Sequence, residues 1–294
     1  MPEQRASMRD SVAIVTGASQ GLGFAIARAF VTAGASVVVN ARNADELAKA
    51  ALSLRENLAS GQRVEVIAGD VSAEGTASHI AEAALSISGR VDVLVNNAGI
   101  YGPMGDSDAV DWDEWIRAIE INVYGSVLMC RAVVPCMKQA RRGKIIQLSG
   151  GGATNPMPRI SAYAVSKAAI VRFAETLALE LSAFGIDVNA IAPGALNTRM
   201  LDEVLAAGPE RVGADFHARS LKQQASGGAG FDAVIALVLF LASQESNGIT
   251  GKLISALWDN WREWSSHTAE LRGTDAYTLR RITGRDRGLP WGDT

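Results

Sequence analysis

Thr16-Gly17-Ala18-Ser19-Gln20-Gly21-Leu22-Gly23 follows at once on the apolar run Val12–Thr16 and opens into Phe24-Ala25-Ile26. Small residues between a strand and a helix let backbone amides approach a pyrophosphate, and the helix N-terminus adds partial positive charge to hold it. Three residues separate Gly17 from Gly21 and one separates Gly21 from Gly23, whereas the common dinucleotide fingerprint has its close pair first. Placement in the first strand–turn–helix unit is what makes a dinucleotide cradle the reading, since glycine turns used only for packing are common.

The same alternation continues outward along the chain. Short β-branched runs recur at Val12–Thr16, Ser36–Asn40, Arg63–Ile67, Val91–Val95, Lys144–Leu148, Asp187–Ile191 and Lys252–Ser255. Between them lie segments of helical period at Gly21–Ala33, Ala44–Ala59, Ser72–Ser88, Val110–Gln139, Ala162–Phe184 and Phe231–Ser243. Parallel strands need helical crossovers, so the pattern predicts an α/β, doubly wound, Rossmann-like parallel sheet of seven strands with helices on both faces. Apolar strands such as Ser36-Val37-Val38-Val39 fit burial on both faces. No repeat or low-complexity linker interrupts residues 1–257, which are expected to form one dinucleotide-binding and catalytic domain.

Composition narrows the function classes. The 294 residues include Lys+Arg 28 against Asp+Glu 31, a net charge of -3, with no block of like charge to follow a phosphate backbone or an anionic lipid surface. Met1–Asp10 is polar and mixed in charge, and the longest apolar run, Val234–Ala242, falls far short of the roughly 20 residues that span a bilayer. These features predict a cytoplasmic protein without nucleic-acid or membrane partners. Cys130 and Cys136 fit neither a zinc ribbon nor a Cys-x-x-Cys pair, and His79, His217 and His267 are scattered, so no metal site is expected.

At the end of the second strand, where a carboxylate would receive ribose hydroxyls, the chain has Asn40-Ala41-Arg42. Nothing there repels a 2′-phosphate, and the Arg42 guanidinium is suited to clamp one, so NADP is expected, with NAD possible as the second choice. Further on, Tyr163-Ala164-Val165-Ser166-Lys167 puts a phenol and an ammonium at i and i+4, on one face of the helix after the fifth strand, beside the crevice where such sheets bind ligands.

With these residues assembled, the chain resembles the short-chain dehydrogenase/reductase family of the Tyr-x-x-x-Lys type over roughly residues 10–256. The resemblance is carried by Thr16–Gly23, Asp70-Val71, Asn96-Asn97-Ala98-Gly99, Asn122, Tyr163 with Lys167, and Pro193-Gly194 followed by Thr198. It implies that Gly17, Ser19, Gln20, Gly21, Leu22 and Gly23 cradle the cofactor and that Asp70 and Val71 flank the adenine. It further implies that Asn97, Ala98 and Gly99 shape the cofactor floor, while Pro193, Gly194 and Thr198 hold the nicotinamide end. Tyr163 would be the acid and base for an alcohol/carbonyl pair and, with Lys167, a cofactor contact; Lys167 would bind the ribose, and Asn122 would fix a proton-relaying water. A homo-oligomer, tetramer or dimer, is also implied. Bringing a tyrosine pKa from about 10 to about 7 takes roughly 4 kcal/mol; one adjacent cation lowers a pKa by about 1–3, so Lys167 alone falls short.

One departure matters. The family's usual Ile-Ser-Ser run, matched to Gln147-Leu148-Ser149-Gly150, puts the catalytic serine's place at Gly150. Ser149 is expected to substitute, through a loop loosened by Gly150-Gly151-Gly152; the alternatives are a backbone amide of that run or the Asn155 side chain.

After the sixth strand, about Leu196–Gly230, substrate contacts and a mobile lid are expected. The segment from 258 to 294 holds four of the six tryptophans. Disordered tails are poor in aromatics, so this extension is expected to pack on the body or on a neighbouring subunit. Two further readings compete. A non-catalytic dinucleotide-binding or scaffolding protein on this fold is favoured by Gly150 and opposed by Asn122, Tyr163 and Lys167. A hydrolase or lyase on the same sheet lacks a Gly-x-Ser-x-Gly elbow and a histidine partner.

Overall fold

The computed structural model describes residues 8–289 and 291. Met1 to Ser7, at the start of the expected domain, and the last residues of the expected extension lie outside the described residues.

The chain alternates strand and helix: β1 (Val12–Thr16), α1 (Gly21–Thr32), β2 (Ser36–Ala41), α2 (Ala44–Arg55), β3 (Val64–Ala68), α3 (Glu74–Ser88), β4 (Val93–Asn96), α4 (Trp112–Ile119), α5 (Gly125–Ala140), β5 (Gly143–Leu148), α6 (Ser161–Leu181), β6 (Ile186–Ala192), α7 (Arg199–Val212), α8 (Ala214–Ala225), α9 (Asp232–Ala242), β7 (Leu253–Ser255) and α10 (Thr268–Arg272). The strands form one parallel sheet in the order β3-β2-β1-β4-β5-β6-β7. The order reverses between β1 and β4, and ligands bind such sheets at that switch, beyond the carboxyl ends of the strands. β1, β2, β4 and most of β5 and β6 are buried throughout, as strands covered on both faces must be. One apolar layer joins α1, α2 and α9 to the sheet, with Phe30, Leu47, Leu54 and Leu237 fully buried. The other joins α3, α5 and α6, with Ile80, Met129, Met137 and Val171.

Two regions differ from the sequence reading. The continuous helix expected over Val110–Gln139 is broken: Glu120–Tyr124 forms a π-helical turn between α4 and α5. The whole stretch Trp112–Ala140 is long and apolar enough, by length and composition, to cross a bilayer. Here its Met129, Cys130, Val133 and Met137 pack under the sheet instead. After β6, the region expected as a lid forms α7 and α8, with a kink at Gly208.

Beyond β7 the chain turns back over the sheet edge. Trp261 and Trp264 are 3% and 5% exposed and belong to the α1–α9 core, Trp261 packing at 5.4 Å on Phe240 and Trp264 at 4.4 Å on Tyr277. The amide of Leu253 donates to the Tyr277 carbonyl at 2.7 Å, and Lys252 Nζ donates to the Thr274 and Ala276 carbonyls, both at 2.9 Å. A strand edge that would offer unpaired amides is thus covered by the chain's own continuation. Trp258 and Trp291 remain 85% and 80% exposed.

Candidate active site

β1 ends in Thr16, whose Oγ1 accepts from the amides of Asn97 at 3.0 Å and Ala98 at 3.1 Å. Asn97 Nδ2 donates back to the Thr16 carbonyl at 2.9 Å and the Gly17 carbonyl at 3.1 Å. The loop after β4 is thereby sewn to the glycine turn. Gly17 has φ +64°, and a Cβ there would stand 2.8 Å from Ala98 Cα, so both conformation and close approach require glycine. Gly23 packs directly on the Gly17 carbonyl. No side chain caps the N-terminus of α1. Its amides are left for an anionic ligand, and Thr198 at the head of α7 stands opposite, its methyl 3.9 Å from where a Gly21 Cβ would lie. This cradle fits a dinucleotide.

The flanks are less uniform. Asn40 is fully buried and turns its amide to the Ile67 and Gly69 carbonyls at 2.9 and 3.1 Å. Arg42 is exposed and has no partner among the described residues. Asp70 accepts from Ser72 and pairs with Arg117 of α4; Val71 is buried beneath Gly125. Gly194, after Pro193, is held tightly against Leu257.

Tyr163 and Lys167 lie on one face of α6, with Lys167 Nζ 5.4 Å from the phenol ring centroid. Lys167 is 6% exposed and donates to the Leu148 carbonyl at the end of β5, at 2.8 Å. A Cβ on Gly99 would lie 3.4 Å from Lys167 Nζ and 3.2 Å from Asn122 Oδ1. One loop, Asn97–Gly99, therefore touches both the glycine turn and the Tyr163–Lys167 face. Asn122 sits in the π turn, 1% exposed; its Oδ1 accepts from the Ile100 amide at 2.8 Å and its Nδ2 donates to the Ile100 carbonyl at 2.9 Å and to Ser166 Oγ at 2.8 Å. Ser166 in turn donates to the Tyr163 carbonyl at 2.7 Å. Asn122 thus ties the β4 loop to the helix carrying the phenol, and the π turn aims it there.

Ser149 does not reach the phenol. It is 3% exposed and its hydroxyl is spent on the Lys167 carbonyl at 3.3 Å. Gly150 is the residue against Tyr163: a Cβ there would lie 2.5 Å from Tyr163 Oη. Asn155 is exposed and bonds Thr154 at 3.1 Å. The sequence reading passed over Tyr101 and Ser166. Tyr101 packs its ring 4.7 Å from that of Tyr163, tilted by 56°. Both phenols share an apolar cluster with Met104, Met157, Ile160, Val204, Val212 and Phe216, which brings α7 and α8 over the site. Arg211 of α7 donates to the Met104 carbonyl at 3.2 Å, holding that cover down.

Electrostatics follow from burial. Desolvation pushes the Tyr163 phenol above its ordinary value of 10.0, and the neighbouring Tyr101 charge adds to it. In the chain by itself, exclusion of water sets the direction, against the lowering expected from Lys167. Lys167 is lowered from 10.5 to about 8 by the same cause. Between these two values the unfolded chain holds a proton that the folded chain releases, so Lys167 makes stability rise with pH. The slope is at most about 1.4 kcal/mol per pH unit, and the window closes near 10.0, where ionisation of the unfolded Tyr163 begins to act in the opposite sense. Urea unfolding of wild type and Lys167→Met across this range should show a steeper rise with pH for wild type; parallel curves would contradict it.

The short chain dehydrogenase family matches residues 11–208. The chain belongs to that family. Among its relatives, the dehydrogenase/reductase SDR family member 4 of Sus scrofa is 31% identical to this chain over 261 residues, with 86% of this chain and 88% of that one covered. The 3beta-hydroxysteroid dehydrogenase 1 of Eggerthella lenta is 36% identical over 245 residues, covering 83% and 91%. In structure, the chain is similar to NAD+-bound xylitol dehydrogenase, with TM-score 0.76, 28% identity and 84% and 98% covered. It is also similar to a gluconate 5-dehydrogenase of Burkholderia cenocepacia in complex with NADP and tartrate, with TM-score 0.74, 27% identity and 85% and 95% covered. This short-chain dehydrogenase/reductase is an oxidoreductase with a Rossmann-like nucleotide-binding fold, and its family works with NAD(P).

Proposed function

We propose that this enzyme interconverts an alcohol and a carbonyl on a small molecule by NADP(H)-dependent hydride transfer, with Tyr163 as general acid and base. The observation that carries the reading is the loop Asn97–Gly99, which abuts the glycine turn on one side and Lys167 on the other. The nicotinamide ring of a cofactor whose pyrophosphate sits at that turn would face the phenol.

When bound, the cofactor supplies or accepts the hydride. The amides from Ser19 to Gly23 with Gly17 would hold its pyrophosphate, Asp70 and Val71 would border the adenine, and Pro193, Gly194 and Thr198 would border the nicotinamide. Lys167 Nζ would bind the ribose. In reduction Tyr163 Oη gives its proton to the substrate oxygen; burial keeps the phenol protonated for that task. In oxidation the same oxygen receives the proton, with the Lys167 ammonium favouring the phenolate. Asn122 fixes the phenol's helix against the cofactor loop and holds the relay end of the site. A homodimer or homotetramer belongs to the same reading, supported by the exposed apolar side chains of Trp112, Tyr124 and Val165.

The preference for NADP rests on Arg42 and on the absence of a carboxylate beside it. Losing one charge-assisted contact costs about 1.5–3 kcal/mol. Arg42→Ala should therefore raise the KM for NADPH by about tenfold to a hundredfold and leave that for NADH within about twofold. A panel of alcohols and carbonyls, followed through nicotinamide absorbance with each cofactor, tests both claims. Equal or better use of NADH by wild type would remove the assignment to NADP.

A further inference from the structure

Transfer of a proton to a reduced carbonyl oxygen goes more easily when a second donor, which keeps its own proton, holds that oxygen as charge develops. Beside Tyr163 Oη no side chain at the end of β5 offers one: Gly150 has none, the Ser149 hydroxyl is spent on the Lys167 carbonyl, and Asn155 is exposed and bonds Thr154. Besides Lys167, Tyr101 packs a polar side chain on the phenol.

We propose that the Tyr101 hydroxyl is that second donor to the substrate oxygen, supplied from the β4 loop in place of a side chain at Gly150. The proposal rests on the alcohol/carbonyl reading above. Three observations carry it. The Tyr101 ring lies 4.7 Å from the Tyr163 ring in the same apolar cluster, close enough for the charge of one phenol to act on the other. The Tyr101 hydroxyl makes no hydrogen bond to any described residue, which in a half-buried phenol leaves a donor to spare. Its backbone is fixed on both sides. Ile100 is bound through amide and carbonyl by Asn122, and Gly102 presses on α4, where a Cβ would meet that of Ala118 at 2.7 Å. A donor fixed before the reaction costs no reorganisation during it.

In the proposed step only Tyr163 gives up its proton. The Tyr163 O–H bond breaks as the substrate O–H bond forms and the hydride arrives on carbon; the Tyr101 O–H bond stays intact. Burial, with the Glu203 charge on α7 adding to it, pushes the Tyr101 phenol up to about 12, so it remains a neutral donor through the working range.

Tyr101→Phe keeps the ring and its packing. It should lower kcat by about a hundredfold to a thousandfold, while KM, NADPH affinity measured by fluorescence without substrate, and melting temperature stay close to wild type. Tyr101→His, whose ring N–H is a donor, should retain kcat about tenfold or more above the phenylalanine variant. A kcat within about threefold of wild type in Tyr101→Phe, equal kcat in the two variants, or a joint loss of kcat and NADPH affinity overturns the proposal. Tyr163→Phe is assayed in parallel. If it alone is inactive and Tyr101→Phe is not, the second donor fails and the acid/base reading stands; if Tyr163→Phe keeps full kcat, the acid/base reading itself fails.

Discussion

Tyr163→Phe should reduce kcat with NADPH by about a hundredfold to ten-thousandfold, the range that a positioned general acid contributes. The ring would keep its contact with Tyr101 and its place near Lys167, so the loss isolates the hydroxyl. NADPH affinity should hardly change, because the cradle after β1 does not involve the phenol. Loss of kcat without loss of binding marks an interaction made only in the transition state. Turnover that survives unchanged would reject the assigned acid, and unchanged turnover with weaker NADPH binding would leave Tyr163 as a cofactor contact alone.

The second large effect concerns the far end of the chain. Trp261 is 3% exposed, packs its ring against Phe240 of α9 at a tilt of 38°, and donates from Nε1 to the Ala256 carbonyl at 3.4 Å. Trp261→Ala should cost about 3–5 kcal/mol, as removal of a buried aromatic side chain does. The denaturant midpoint should fall with the m-value unchanged. A midpoint equal to wild type would mean that the extension does not belong to the cooperative unit. The consequence reaches the site, because Leu257, just ahead of the extension, packs against Gly194 at the proposed nicotinamide end. Deleting residues 258–294 should therefore lower both stability and NADPH affinity, where a detached tail would leave both intact.

Much of this was legible in the sequence, for physical reasons that also set its limits. The β1–turn–α1 unit, the seven strands and the Tyr163–Lys167 face follow from periodicity and spacing, which fix local geometry. The assignment of Ser149 to the phenol did not follow. Gly150 is extended, and consecutive residues of an extended chain face opposite ways, so moving along by one residue exchanges the site for the interior. Composition could not register that choice. The break at Asn122 was hidden for another reason: a π turn keeps the apolar spacing of a helix on both sides and betrays itself only through the partners of the buried amide. Tyr101 was invisible because nothing local marks a tyrosine four residues after Asn97 as a neighbour of another sixty-two positions on. The tail's aromatic content did signal packing, but which surface it covers depended on the exposed edge of β7, a property of the whole sheet.

The β4 loop is clamped to the glycine turn by Asn97 and to α6 by Asn122. Under the function proposed above, this placement brings a nicotinamide ring, the Tyr163 hydroxyl and a substrate oxygen together. That claim is tested most directly by following the hydride itself. NADPH carrying deuterium at the transferred position of the nicotinamide is supplied to wild type with the best carbonyl substrate of the panel, and the alcohol is analysed by mass spectrometry. One deuterium is expected on the former carbonyl carbon with wild type, and no such product with Tyr163→Phe. Product formed without deuterium, or reduction that proceeds equally without the phenol, would contradict it.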